Sequence, residues 1–163
     1  MELKCALTVA SHFENIELVQ LVLDDVLARS GVDEEGRHWV SVAIREALAN
    51  AIKHGNQQDP RKSVQVEMAL EPEQVSITVR DQGNGFDPAT LEDPLAPENL
   101  LKPTGRGVFY MRRLMDAVEF RPRSDKIGME VLLKKNLGPA TPGGPSGDPK
   151  EGELDEDHGT KRG

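Results

Sequence analysis

Glu46-Ala47-Leu48-Ala49-Asn50-Ala51-Ile52-Lys53-His54-Gly55-Asn56 is the stretch from which the fold of this chain is read. At 3.6 residues per turn, Glu46, Asn50 and either Lys53 or His54 fall on one helical stripe. Val40, Ala43, Ile44, Ala47, Leu48 and Ala51 supply an apolar remainder wide enough to be buried. A carboxylate and a carboxamide in such surroundings cost free energy unless something pairs with them. A metal with its waters, or a substrate hydroxyl, would do so. Asn50 offers a neutral oxygen suited to a hard cation such as Mg2+ already held by phosphates. Glu46, one turn earlier, could accept a proton from a nucleophile beside a terminal phosphate, an effect of ~10²–10⁴-fold. Taken alone, the same stripe also reads as a solvated helix face.

Two further signals narrow the reading. Val75, Ile77 and Val79 alternate along a strand that delivers Asp81 to a sheet end, followed by Gln82-Gly83-Asn84-Gly85. There a carboxylate can accept from an exocyclic amine of adenine, while Gly83 and Gly85 permit close backbone approach. Gly105-Arg106-Gly107 then opens an amphipathic segment, leaving free N–H groups and a positive dipole end for an anion. Each has a plain alternative, a hairpin turn for the first and a loop hinge for the second. The three in this order are far more specific than any one of them.

Nearer the N-terminus, Leu3 to Val9 alternates as a strand, and Ser11-His12-Phe13-Glu14 has the form of a capping box. A helix follows to about Ser30, stopped by Gly31, and Asp33 caps a second one running to Lys53 or His54. Strands are expected over Ser63 to Leu70 and Val75 to Arg80, joined by a hairpin turn. Residues 86–104, rich in Pro, Asp, Glu and Leu, read as a long mobile loop, of a length that is usually functional or disordered. A short helix, Gly107 to Asp116, precedes two strands, Ala117 to Arg121 and Met129 to Lys135. Eleven of the residues 136–163 are Gly or Pro, so that tail is expected to be disordered. The resulting class is α+β: a two-layer sandwich with a mixed, mostly antiparallel sheet and its helices on one face.

At 163 residues the chain suits one domain, here 1–135, plus the tail. A formal net charge of -8 argues against general nucleic-acid binding, which needs clustered cations. Cys5 is the single cysteine, which excludes an internal disulfide; it reads as a small core residue. His12 and His38 lack partners at metal-ligand spacing, and Trp39 is expected to pack the second helix. No run approaches the ~18 apolar residues of a membrane span, and no signal segment is evident, so a cytoplasmic location is expected. His54, at a helix C-terminus, reads as a capping residue, with a nucleotide contact as the alternative.

Glu46-x-x-x-Asn50, Asp81-x-Gly83-x-Gly85 and Gly105-x-Gly107 resemble the N, G1 and G2 boxes of the Bergerat-fold (GHKL) ATPases. That group includes gyrase, MutL and histidine kinase catalytic domains. Residues 2–135 are most similar to its small bacterial branch, the anti-sigma-factor serine kinases, notably through Glu46 to Gly55 and Arg113-Leu114-Met115-Asp116. The resemblance implies an ATP- and Mg2+-dependent kinase of a serine on a small anti-anti-sigma (STAS-type) protein, which in its other state holds a sigma factor inactive. It implies Glu46 as general base, Asn50 as Mg2+ ligand and Asp81 as adenine reader. Gly83 and Gly85 would shape the base pocket, Thr104, Gly105, Arg106 and Gly107 would meet phosphates, and 86–104 would be the lid. A homodimer packed through the sheet is implied as well.

One departure stands out. Family members commonly carry Gly-Thr before the last strand, with the hydroxyl near adenine; here Gly128 precedes Met129 and Glu130. That keeps open an alternative, a partner-switching module that binds ATP or a regulatory complex without transferring phosphate. A detached histidine kinase catalytic domain ranks last, because the chain has no dimerising helix pair with a phosphoacceptor histidine.

Overall fold

The computed structural model describes residues 2–84, 96, 98, 106–123 and 127–137. Five strands form one sheet: β1 (Leu3–Ala10), β2 (Ser63–Glu71), β3 (Gln74–Arg80), β4 (Ala117–Pro122) and β5 (Met129–Asn136). Their order is β1-β2-β3-β5-β4, and every neighbouring pair is antiparallel. The helices are α1 (Glu14–Ala28), α2 (Glu34–Asn50) and α3 (Arg106–Leu114). A π-turn, Ala51–Gly55, continues α2.

Period-2 patterning places the strands. Val64, Val66, Met68 and Leu70 on β2 alternate with Gln65, Glu67 and Ala69, and Val75, Ile77 and Val79 do the same on β3. Their buried sides face Val19, Leu23 and Leu27 of α1 and Val40, Ile44 and Leu48 of α2 in one core. Burying each such side chain fully contributes roughly 1.5–3 kcal/mol. Cys5 lies half-buried on the inner side of β1, packed against that core. The α+β two-layer arrangement read from the sequence is therefore the arrangement of the chain.

Element ends follow the local chemistry, with one correction. Asp33 caps α2 through a hydrogen bond from the Gly36 N–H at 2.8 Å, and Gly31 turns the chain after α1 at φ 75°. The capping box at Ser11 does not form. The Ser11 N–H donates to the Lys62 carbonyl and extends the β1–β2 ladder, so Ser11 ends the strand and Phe13 stands at the N-cap. The Ser11 hydroxyl is buried without a partner among the described residues. Trp39 is half-exposed on the surface of α2, edge-on to His38 at 4.9 Å, and not a packing residue of the core.

The other face of the sheet carries a ladder of charge. Arg80 pairs with Glu67 at 2.6 Å and with Glu130 at 2.6 Å, and Arg121 pairs with Glu130 at 3.5 Å. Glu67, then Glu130, stabilise the Arg80 guanidinium and push its pKa up.

Candidate functional site

Glu46 and Asn50 sit one turn apart on α2, both half-buried, where the N-terminal end of α3 crosses it. Gly107 makes that crossing close. A methyl group on it would lie 2.6 Å from Glu46 Oε2 and 3.5 Å from Asn50 Nδ2. Among the described residues, neither side chain makes a hydrogen bond or an ion pair, so their polar ends are available to a ligand between α2 and the start of α3. No group of carboxylates, histidines and cysteines large enough to hold a metal unaided occurs among the described residues. A cation with only Asn50 as protein ligand fits that donor set if phosphates supply the rest.

Beyond Asn50 the π-turn alters the direction of the side chains. Its wider winding takes Lys53 and His54 out of α-helical register, and both are exposed. Gly55, at the end of the turn, faces inward against Asp81.

Asp81 is buried, with 6 % of its surface exposed. Its Oδ1 accepts from the Gly83 N–H at 2.9 Å and the Met129 N–H at 3.1 Å. Its own N–H donates to the Met129 carbonyl, and its carbonyl accepts from Arg123 Nη1 at 3.1 Å. Among the described residues Oδ2 accepts no hydrogen bond. Three glycines close around this residue. A Cβ on Gly55 would strike the Asp81 carboxylate, and one on Gly83 would strike the Gly55 carbonyl. Gly128 is held at φ 91°, where a side chain is strained, and a Cβ there would meet the Asp81 carbonyl. Asn50, Ala51, Gly55, Val79, Asp81, Met111, Phe120 and Val131 line one small cleft, so Asn50 and Asp81 border the same space.

Gly83 closely approaches the Gly55 backbone, and Gly107 the ends of Glu46 and Asn50. Arg106 begins α3 and is partly buried. Gly85, Thr104, Gly105 and the tail beyond Leu137 lie outside the described residues, as does the 86–104 lid apart from Ala96 and Glu98. Sequence reasoning missed three contributors: Gly55, Gly128 and Asn56. Asn56 is fully buried, its Oδ1 accepting from the Gln82 N–H at 2.7 Å and its Nδ2 donating to the Ser63 carbonyl at 2.9 Å. The one available signal was a carboxamide directly after the helix-ending glycine.

The family model described as "Histidine kinase-like ATPase domain" matches residues 9–135. A curated relative, "Anti-sigma F factor" of Clostridium perfringens, is 30 % identical over 141 residues, covering 84 % of this chain and 99 % of that protein. "Serine-protein kinase RsbW" of Staphylococcus aureus is 27 % identical over 135 residues, covering 78 % and 85 %. A solved structure of the RsbU and RsbW domains of a Mycobacterium tuberculosis protein shares the fold. Its TM-score is 0.58 at 19 % identity, covering 83 % of this chain and 32 % of that one.

Proposed function

We propose, starting from the fact that this chain belongs to the histidine kinase-like ATPase domain family, that it is an ATP-dependent serine kinase and anti-sigma factor. It phosphorylates a serine of an anti-anti-sigma protein and, when not so engaged, sequesters a sigma factor. The names of its relatives support both halves of that role. The observation that carries the reading is the juxtaposition of Glu46 and Asn50 with Gly107 at the start of α3, with Asn50 also bordering the cleft that Asp81 lines.

In this reading Asp81 Oδ2 accepts from the 6-amino group of adenine, and Oδ1 is already occupied by backbone donors. The triphosphate runs toward the α3 N-terminus, whose N–H groups and dipole favour anions; Gly107 and Arg106 meet it there with Thr104 and Gly105, while Gly83 and Gly85 shape the base pocket. Asn50 contributes its side-chain oxygen to Mg2+, which when bound offsets negative charge on the phosphates. Glu46 takes the proton from the incoming serine hydroxyl as its oxygen bonds to the γ-phosphorus and the bond to the β-phosphate oxygen breaks, releasing ADP. His54, exposed on the π-turn, has no part in this scheme. A homodimer is part of the proposal, through the open sheet face, where Ala6, Ala69, Ser76 and Thr78 leave a shallow groove between Lys4 and Glu67. No helix among the described residues is long and apolar enough to cross a membrane.

Glu46→Gln tests the assignment. ATP binding should persist while transfer of labelled phosphate to a serine-bearing partner falls by ~10²–10⁴-fold. Unchanged transfer removes Glu46 as base. A wild-type protein that binds ATP and labels no partner is the non-transferring module instead.

A further inference from the structure

Asp81 can act as a base reader only if its peptide plane is fixed, and the groups that fix it lie outside the motifs. The Asp81–Gln82 peptide is held at both ends: its carbonyl accepts from Arg123 Nη1 at 3.1 Å, and its N–H donates to Asn56 Oδ1 at 2.7 Å. Asn56 is not an isolated contact. Its Nδ2 donates to the Ser63 carbonyl at 2.9 Å, the Ser63 N–H donates to Gln82 Oε1 at 2.7 Å, and the Gln82 N–H returns to Asn56. Three hydrogen bonds therefore close a ring across the end of α2, the start of β2 and the turn after β3. Because one Asn56 atom must accept an N–H and the other must donate to a carbonyl, the ring fixes the orientation of the carboxamide.

The chain bends to present this side chain. The Asn56 N–H closes the π-turn onto the Ala51 carbonyl at 2.7 Å, and the two residues after it, Gln57 and Gln58, both adopt left-handed conformations at φ 55° and 57°. Non-glycine residues in that region are strained, and such strain persists where the surroundings over-determine it. Asn56 itself is 0 % exposed, with both carboxamide atoms satisfied.

We infer that Asn56 is a positioning residue for nucleotide recognition: the Asn56–Ser63–Gln82 ring locks the Asp81 turn to the helix that carries Asn50, so base and phosphate contacts keep a fixed separation. This rests on the reading of Asp81 as the acceptor for the adenine amine. A merely structural clamp predicts a different result, because losing it would weaken every nucleotide alike.

The test compares binding of ATP with that of purine riboside triphosphate, which lacks the 6-amino group, by titration calorimetry with Mg2+. Wild type should prefer ATP by on the order of tenfold, the scale of one charge-assisted hydrogen bond. Asn56→Ala should reduce that preference to about twofold while affinity for the purine analogue changes by less than about threefold. Gln82→Ala, which spares the Asn56-to-Gln82 backbone bond and opens the ring only at Ser63, should move the preference in the same direction by a smaller factor. If Asn56→Ala does not fold, the Gln82 variant decides. Equal weakening of both nucleotides, or an unchanged preference, overturns the positioning role. Asp81→Asn separates the two levels: if it too leaves the preference intact, the base-reading assignment fails and this inference with it. If Asp81→Asn abolishes the preference and the ring variants do not, only this inference fails.

Discussion

At Asp81 the carbonyl, the N–H and one carboxylate oxygen are already engaged by the protein, whereas Glu46 and Asn50 make no hydrogen bond among the described residues. In the proposed reading one end of the site is set by protein contacts and the other is completed by the ligand. The physical contrast then follows from what each end would recognise. A base offers one amine and a flat edge, and rejecting the wrong base demands an acceptor that cannot move. A triphosphate with its cation brings strong charge of its own, so side chains at that end can be left unpaired and half-hydrated until it binds. Steric tolerance differs in the same way. The two atoms nearest a Cβ on Gly128 are backbone, and those nearest one on Gly107 are the ends of side chains.

Gly128→Ala is the substitution that should separate the ends most sharply. Its φ of 91° is unfavourable for alanine, and the new methyl would overlap the Asp81 carbonyl and come within 2.8 Å of Oδ1. Neither neighbour can yield without breaking the Met129 and Arg123 hydrogen bonds to Asp81. Stability should fall by about 2–4 kcal/mol, the range for strain and overpacking combined. ATP affinity should fall by tenfold or more, roughly the value of the Asp81 contact. Thermal melting and calorimetry check both; a variant with wild-type affinity would mean that the base end is far more pliable than its contacts indicate.

The same contrast explains what the sequence revealed. The strands and helices were legible because buried faces repeat at periods of two and 3.6, and Asp33 announced its helix by a local bond. Glu46, Asn50 and Asp81 were legible because polar groups stood out against apolar periodicity. The capping box failed because Ser11 is claimed by a strand partner, Lys62, that lies far away in sequence. The π-turn was invisible for a related reason. Its end is held by hydrogen bonds between the Asn56 side chain and the backbone of Ser63 and Gln82, contacts that exist only once the sheet has formed. Asn56 therefore drew no reading of its own, and Gly128 drew notice only for the methionine after it. Local pattern exposes the residues that meet a ligand; the residues that hold them are tertiary.

Gly107→Ala is the counterpart at the phosphate end and should be milder. The added methyl meets Glu46 Oε2 at 2.6 Å, but that oxygen ends a flexible side chain and can swing aside. Stability should change by less than about 1 kcal/mol, since alanine is the better helix former. The displaced carboxylate, however, is the proposed base, and a shift of part of an ångström should lower phosphate transfer by about tenfold with ATP affinity changed under threefold. Single-turnover transfer, read beside binding, distinguishes this from Gly128→Ala. If affinity drops and transfer per bound ATP does not, the two ends are not independently built.

Glu130→Gln asks whether the rigidity of the base end is local. Glu130 follows Met129, whose N–H holds Asp81, yet its side chain lies on the opposite face, where it accepts from Arg80 at 2.6 Å and approaches Arg121 at 3.5 Å. Glutamine keeps the shape and one acceptor while removing the charge, leaving Arg80 with Glu67 alone. The pair is only partly screened, at side-chain exposures of 22 % and 19 %, so a loss of about 1 kcal/mol is expected, diminishing as salt is raised. ATP affinity should change by less than twofold, because the backbone of Met129 remains anchored in β5 between β3 and β4. An affinity loss that tracks the stability loss across salt concentrations would instead make the charge ladder part of the base end, and the division between a prebuilt and a ligand-completed end would have to extend through the sheet.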